Sequence, residues 1–195
     1  MTQAFDPAGE LTACQAMADE FDAYLTSDVL YWQMDASRPA GDQLPKLTVS
    51  GFLERACRLR AAPLTSSQRL VLDESVRRFE QARDRQPARY VARVVHDLRG
   101  RLDAWQWFLD DYAKQPEEQA PYFPAQAHTR LAIELLVAEL ENHPEAAEPA
   151  RRLSALDERL RADWINGAFV WHTSLAPGFP RERFWWLYGR LKQSE

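Results

Sequence analysis

The sequence has few glycines and few of the residues that favour β-strands. Valine, isoleucine and threonine supply 9, 2 and 7 of the 195 residues, with seven glycines, whereas alanine and leucine supply 28 and 23. This balance favours helices and argues against a β-sandwich, a β-barrel or a sheet-centred nucleotide-binding fold. The chain also lacks GxGxxG, GxxxxGK[ST], CxxC, HExxH and GxSxG, so no motif indicates a reaction class.

Cysteines and long apolar runs are equally scarce. Cys14 and Cys57 both fall in helical patterns, which predicts two reduced, buried thiols. No apolar run approaches the roughly 18 residues of a membrane helix, and residues 1–10 carry acidic but no basic side chains, unlike a signal peptide. We therefore expect a cytoplasmic protein with no membrane partner. The 21 arginines against three lysines are typical of a G+C-rich bacterial genome.

The net charge of −5 is unevenly distributed along the chain. Residues 1–37 hold seven acidic residues and no basic one, whereas residues 48–113 hold twelve arginines against nine acidic residues. These arginines alternate with Asp and Glu at helical spacing, which is typical of solvated helix faces. A nucleic-acid-binding domain would instead present one basic face, so no nucleic-acid partner is expected.

Prolines and capping residues divide the chain into six or seven helices. The predicted helices cover residues 6–34, 50–62, 65–84, 88–113, 124–143 and 149–166, and a short final helix covers 181–192. Gly167, after Asn166, is expected to be a left-handed helix cap. No repeat or long linker interrupts the chain, so residues 1–195 are expected to form one all-α domain, a bundle on which the aromatic-rich C-terminal segment 164–192 packs.

The fourth predicted helix, 88–113, is expected to be central. Its apolar stripe includes four residues that should be deeply buried: Leu98, Leu102, Trp105 and Leu109. The opposite face aligns His96, Gly100, Asp103 and Trp107. A glycine in mid-helix costs about 1 kcal/mol relative to alanine, so Gly100 indicates a close approach by another backbone or a ligand. The opposite face therefore has three interpretations: a second set of neighbours with Trp107 under a loop, a binding groove walled by His96, Asp103 and Trp107, or simple exposure.

Asp28 lies in the middle of the apolar arc of the first predicted helix. An ionised carboxylate on a buried stripe needs a partner. We expect Asp28 to be a buried acid paired with an arginine from helices two to four. Exposure near the helix end and a ligand-facing or catalytic role are the alternatives.

Histidine spacing gives no indication of a metal site. His96, His128, His143 and His172 form no i,i+3 or i,i+4 pair, and Glu-x-x-His does not occur. Helical metal sites commonly use those spacings. Neither a metal nor a cofactor is expected, and no residue is assigned a catalytic role.

Aromatic residues concentrate near the C-terminus. Residues 164–188 contain eight aromatic side chains, including four of the seven tryptophans. These rings either close one end of the bundle or line a pocket or an interface, because tryptophan, tyrosine and arginine dominate interface hot spots. The candidate binding residues here are Trp171, His172, Trp185 and Trp186.

Taken together, these patterns favour a non-catalytic binding or assembly protein that uses its aromatic C-terminal surface. Its expected partner is a second copy of the chain, as a homodimer, or another protein. The alternative is a small-molecule-binding protein or an enzyme with a pocket walled by helix four, in which His96, Asp103 and Trp107 would act with Asp28.

Overall fold

The computed structural model describes residues 5–34 and 44–193, and this part of the chain is mainly helical. It contains seven α-helices: α1 (Pro7–Thr26), α2 (Val49–Ala61), α3 (Ser66–Arg85), α4 (Pro87–Lys114), α5 (Pro116–Gln119), α6 (Phe123–Glu139) and α7 (Ala147–Ala162). Two short strands, β1 (Trp164–Phe169) and β2 (Tyr188–Leu191), pair antiparallel. The all-α class is confirmed. None of these helices combines the length and apolar character required to cross a bilayer.

Local capping signals explain where several helices begin. The Asp6 side chain accepts a hydrogen bond from the Ala8 backbone N–H at 3.0 Å and caps α1. Thr65 and Gln68 form a complete capping box at the start of α3, as their spacing predicts. Pro87 begins α4, where its missing N–H costs nothing.

Helix α4 lies at the centre of the bundle, as predicted. It packs mainly against α6 and α7 and also contacts α1, α2 and α3. The four stripe residues expected at its buried face are all buried: Leu98, Leu102, Trp105 and Leu109. On the other side of the core, the Phe79 ring of α3 lies 4.1 Å from the Phe52 ring of α2 and 4.3 Å from the Phe21 ring of α1. These ring contacts join α1, α2 and α3.

The first helix is shorter than its sequence pattern predicts, since α1 ends at Thr26 and not near 34. The Arg93 guanidinium of α4 donates to the backbone carbonyls of Ser27 and Val29. These bonds hold the backbone of the turn that directly follows the last helical residue, Thr26. The chain then turns so that Trp32 and Leu47 exchange backbone hydrogen bonds. The loop predicted at 36–47 lies mostly outside the described residues.

The C-terminal predictions of a final helix at 181–192 and of a left-handed Gly167 are wrong. Gly167 lies in β1 and no glycine of the described chain has a positive φ, while Trp185–Leu187 is a single 3₁₀ turn that leads into β2. A Cβ at Gly189 would lie 2.2 Å from the Ile165 carbonyl oxygen. Close pairing of β2 on β1 therefore replaces the helix that the apolar spacing permits, because tertiary packing overrides a weak local preference.

Candidate functional site

The α4 stripe, defined as His96, Gly100, Asp103 and Trp107, lies on the exposed face of the central helix. Trp107 is 68% exposed, and no heavy atom lies within 4 Å of a Cβ placed on Gly100. The close approach predicted for Gly100 is therefore wrong: this face of α4 has no covering element among the described residues. The Asp103 carboxylate forms an ion pair with Arg152 of α7, in which a guanidinium nitrogen lies 2.7 Å from Asp103 Oδ1.

Asp28 is exposed, so the prediction of a buried, arginine-paired acid is wrong. The physical reason is the early end of α1: Asp28 follows the cap residue Ser27 and does not lie on the helical stripe. Asp28 and His96 instead line one open depression of about 330 Å³ between the end of α1 and α4, together with Arg89 and Arg93. Asp103 and Trp107 do not line it.

The acids that are buried are Asp97 and Asp157, which the sequence reasoning missed. Asp97 is 2% exposed, accepts a hydrogen bond from the Ser50 backbone N–H at 2.8 Å and pairs with Arg101 at 3.2 Å. Asp97 therefore caps the start of α2 from α4. Its i,i+4 spacing to Arg101, next to the apolar stripe, is the signal that could have identified it.

Asp157 of α7 holds the buried Arg130 of α6. Two parallel hydrogen bonds of 2.9 and 2.8 Å join them, and Glu134 lies 3.1 Å from the same guanidinium. Such a bidentate pair is both strong and geometrically specific. Its partners are 27 residues apart, so spacing along a single helix gives no sign of it.

The C-terminal candidates divide into buried and exposed residues. Trp186 is 1% exposed and lies under Arg130, whereas Trp185 is half-buried and its ring is covered by Arg161 at 4.3 Å. Trp171 is buried and donates its indole N–H to the Pro124 carbonyl at 2.8 Å. The neighbouring exposed His172 caps a 3₁₀ turn through Ser174.

A histidine–carboxylate pair that the sequence did not indicate joins α6 to α2. His128 Nδ1 lies 2.5 Å from Glu54 Oε1, and the His128 ring stacks on Trp171 with centroids 4.4 Å apart. Burial alone would raise the pKa of Glu54, but His128 and the nearby arginines Arg58 and Arg55 hold it below its usual range. The pair links α2 to α6 through a side-chain hydrogen bond at the edge of the core.

The two cysteines are free; Cys14 is buried as predicted, whereas Cys57 is only half-buried. Burial raises the pKa of Cys14 to about 12 and that of Cys57 to about 11. Both thiols therefore stay protonated near neutral pH and are poor nucleophiles. Within residues 5–34 and 44–193, no three His, Cys, Asp or Glu side chains gather closely enough to hold a metal ion.

A second depression, the β2 groove, has a volume of about 200 Å³ and runs along β2. Its two sides are formed by Ala120, Pro121, Phe123 and Pro124, and by Gly189, Arg190, Leu191 and Gln193. Phe123 and Leu191 are buried, while Arg190 is exposed. The groove therefore combines an apolar floor with a cation at its edge.

Comparisons with known proteins give no further assignment. The chain matches no protein-family model, no curated protein and no solved structure.

Proposed function

We propose that this chain is a non-catalytic binding protein that takes an extended peptide segment of a partner protein in the β2 groove. The observation that carries the proposal is the position of the groove along β2, a strand whose only strand neighbour in the described chain is β1. A strand with a free edge offers unpaired backbone N–H and C=O groups to an added strand.

The charge around the groove favours an acidic peptide. Arg190 is the only charged side chain among the described residues that line the groove. Arg190 has no carboxylate within salt-bridge distance among the described residues. A guanidinium in this position can form a charge-assisted pair with a ligand carboxylate. The expected ligand is an extended segment with one apolar side chain for the floor and one carboxylate for Arg190.

Aromatic packing behind the groove supports a preformed site. The Phe123 ring lies 4.9 Å from the Trp164 ring, which in turn lies 5.9 Å from Trp185. These rings fix the position of β1 and β2 against the start of α6. A rigid site loses little conformational freedom on binding and therefore keeps more of the contact energy as affinity.

Selection of peptides on the full chain tests the proposal. The probe is a library of random linear peptides, and the affinity of a selected peptide is then measured for Arg190→Glu and for the control Arg69→Glu, which reverses an exposed arginine on α3. Arg190→Glu should weaken binding about tenfold or more, because a hydrogen bond to a charged group contributes about 1.5–3 kcal/mol, and Arg69→Glu should not. A library that yields no binder, or a peptide that binds Arg190→Glu equally well, contradicts the proposal.

A second candidate function is small-molecule binding in the depression between the end of α1 and α4. His96 and Asp28 are far apart in sequence yet line the same depression, which supports binding of a small polar molecule. Arg89 and His96 would face an anionic group there. Inorganic phosphate is the first probe: it should shift the His96 ring proton resonances in wild type but not in Arg89→Ala, and unchanged resonances in wild type reject this candidate.

A further inference from the structure

The exposed face of α4 carries a tryptophan and a glycine seven residues apart, which is about two helical turns. Trp107 projects from the helix with 68% of its surface exposed, and the space above Gly100 is open. We infer that two copies of this chain associate through the α4 stripe with their α4 helices antiparallel, so that Trp107 of each copy covers Gly100 of the other. This surface is separate from the β2 groove.

The spacing of the stripe suits a helix partner. Successive members, from His96 through Gly100 and Asp103 to Trp107, are four, three and four residues apart. This alternation is the seam spacing of two helices that pack side by side. Gly100 and Trp107 are seven residues apart, or about 10.5 Å along the axis at 1.5 Å per residue. An antiparallel copy centred between them brings each indole over the glycine of the other copy.

The charges on α4 favour the antiparallel arrangement. Arg89 and Arg99 are exposed in its N-terminal half, whereas Asp110 and Asp111 lie in its C-terminal half. Centring the pair between Gly100 and Trp107 brings Arg99 of one copy beside Asp110 of the other. These residues already pair with Glu145 and Arg159 of their own chains, so the new contact joins two exposed pairs into one network. The same placement sets the His96 ring opposite Asp111, where the ring can donate a hydrogen bond. A parallel pair would instead set like charges against each other, which opposes association.

The two Asp103 carboxylates would repel each other near the two-fold axis unless a cation balances their charge. The antiparallel pair brings the two Asp103 carboxylates towards each other at the centre of the seam. Each of them already pairs with Arg152 of its own chain at 2.7 Å. Because this cation neutralises the carboxylate, the two Asp103 side chains meet as ion pairs and not as bare charges.

The size of this surface determines the expected strength of association. A seam of one helix against one helix covers less than the roughly 1,200–2,000 Å² of a standard stable interface. The dimer is therefore weak and concentration-dependent. Its charge contacts are exposed at the edges of the seam, so added salt should weaken it further.

Sedimentation equilibrium on the full chain over a range of concentrations tests the inference. Wild type should dimerise, and Trp107→Ala should raise the dissociation constant at least tenfold. Gly100→Leu should do the same without lowering the melting temperature, because its side chain enters open space in the monomer but blocks the indole of the other copy. Leu70→Ala is the control, since it removes an equally exposed apolar side chain, 70% exposed, from α3.

Cross-linking tests the orientation in a Cys57→Ala background. Asp103→Cys places a thiol next to the two-fold axis and should form a disulfide-linked dimer with oxidised glutathione as the oxidant. Arg89→Cys places its two thiols about 40 Å apart at 1.5 Å per residue and should not. A chain that stays monomeric at all concentrations, a dimer that both Trp107→Ala and Gly100→Leu leave intact, or efficient cross-linking at position 89 overturns the inference.

Discussion

The Arg130 guanidinium lies 3.8 Å from the centre of the Trp186 ring. The same guanidinium donates two hydrogen bonds to Asp157, so one side chain of α6 contacts both α7 and the C-terminal aromatic segment. Arginine suits this position because its planar group can stack on a ring while its edge binds a carboxylate.

Replacing Arg130 by methionine should be strongly destabilising. The change leaves Asp157 without its partner, and a broken buried pair costs about 3–5 kcal/mol. Urea denaturation of Arg130→Met measures this loss, with Arg159→Ala as the control because its pair with Asp110 is partly exposed and contributes about 1 kcal/mol or less. Arg130→Met with Asp157→Leu should recover much of the stability. A double variant no more stable than Arg130→Met would contradict this account.

The adjacent tryptophans Trp185 and Trp186 should respond differently to truncation. Trp186 is fully buried, so Trp186→Ala should reduce the free energy of unfolding by about 3–5 kcal/mol. Trp185 is half-buried beneath Arg161, so Trp185→Ala should cost clearly less. Thermal and urea unfolding of the two variants compares them directly. Equal losses would show that the difference in burial does not set the cost.

Asp97→Ala and Asp28→Ala form a matched pair. Asp97→Ala leaves the buried Ser50 N–H without an acceptor, which should cost about 1–3 kcal/mol. Asp28 is exposed, so its replacement should stay within about 0.5 kcal/mol of wild type. The shift of the urea midpoint at neutral pH is the measurement, and a larger effect at Asp28 than at Asp97 would contradict both assignments.

Replacing Gly100 or Gly178 by alanine should change the stability of the chain in opposite directions. Gly100 is exposed in mid-helix with open space around it, so Gly100→Ala should stabilise the chain by about 1 kcal/mol. A Cβ at Gly178 would lie 2.2 Å from Ala61 Cβ and 2.7 Å from Ala61 Cα. Gly178→Ala must therefore displace the turn from α2 and should lower the melting temperature. Measuring both variants at a concentration where the chain is monomeric separates these effects from self-association.

The Glu54–His128 pair should raise the free energy of unfolding near neutral pH, and this contribution should be lost in acid. The folded chain lowers the pKa of Glu54 from 4.5, so the fold favours the ionised form. This contribution is complete above pH 4.5 and disappears as the pH falls through the lower folded-state pKa. Glu54→Gln should therefore be less stable than wild type at pH 7, and the gap should narrow in acid. Glu117→Gln is the exposed control, and a gap that stays constant into strong acid would exclude this role.

Local signals made the helices predictable, and distant contacts made the site unpredictable. The capping box at Thr65 and the apolar stripe of α4 lie within single helices, so periodicity and residue type are sufficient to find them. Glu54 and His128 are 74 residues apart, and no spacing rule relates them. Helical periodicity places His96, Asp103 and Trp107 on one face of α4. It carries no information on which of the three lines a depression with Asp28, and the structure shows that only His96 does.

The wrong C-terminal helix has a particular cause. Phe184, Leu187 and Leu191 follow helical spacing and are all buried. Buried positions with this spacing also fit a 3₁₀ turn followed by a strand, because periodicity alone does not separate the two over so short a segment. Gly189 favours the strand, because the absence of a Cβ allows β2 to approach Ile165 closely.

The turn that ends α1 is held by a residue far along the sequence, because Arg93 of α4 binds the carbonyls of Ser27 and Val29. Ser27 and Arg93 are 66 residues apart, so the segment that contains Ser27 is synthesised long before α4 exists to hold it. A peptide spanning residues 5–34 lacks this guanidinium, and its own apolar pattern runs beyond Thr26. Such a fragment should extend its helix past the native end point. The native turn after α1 therefore depends on a contact that only the chain including α4 can supply.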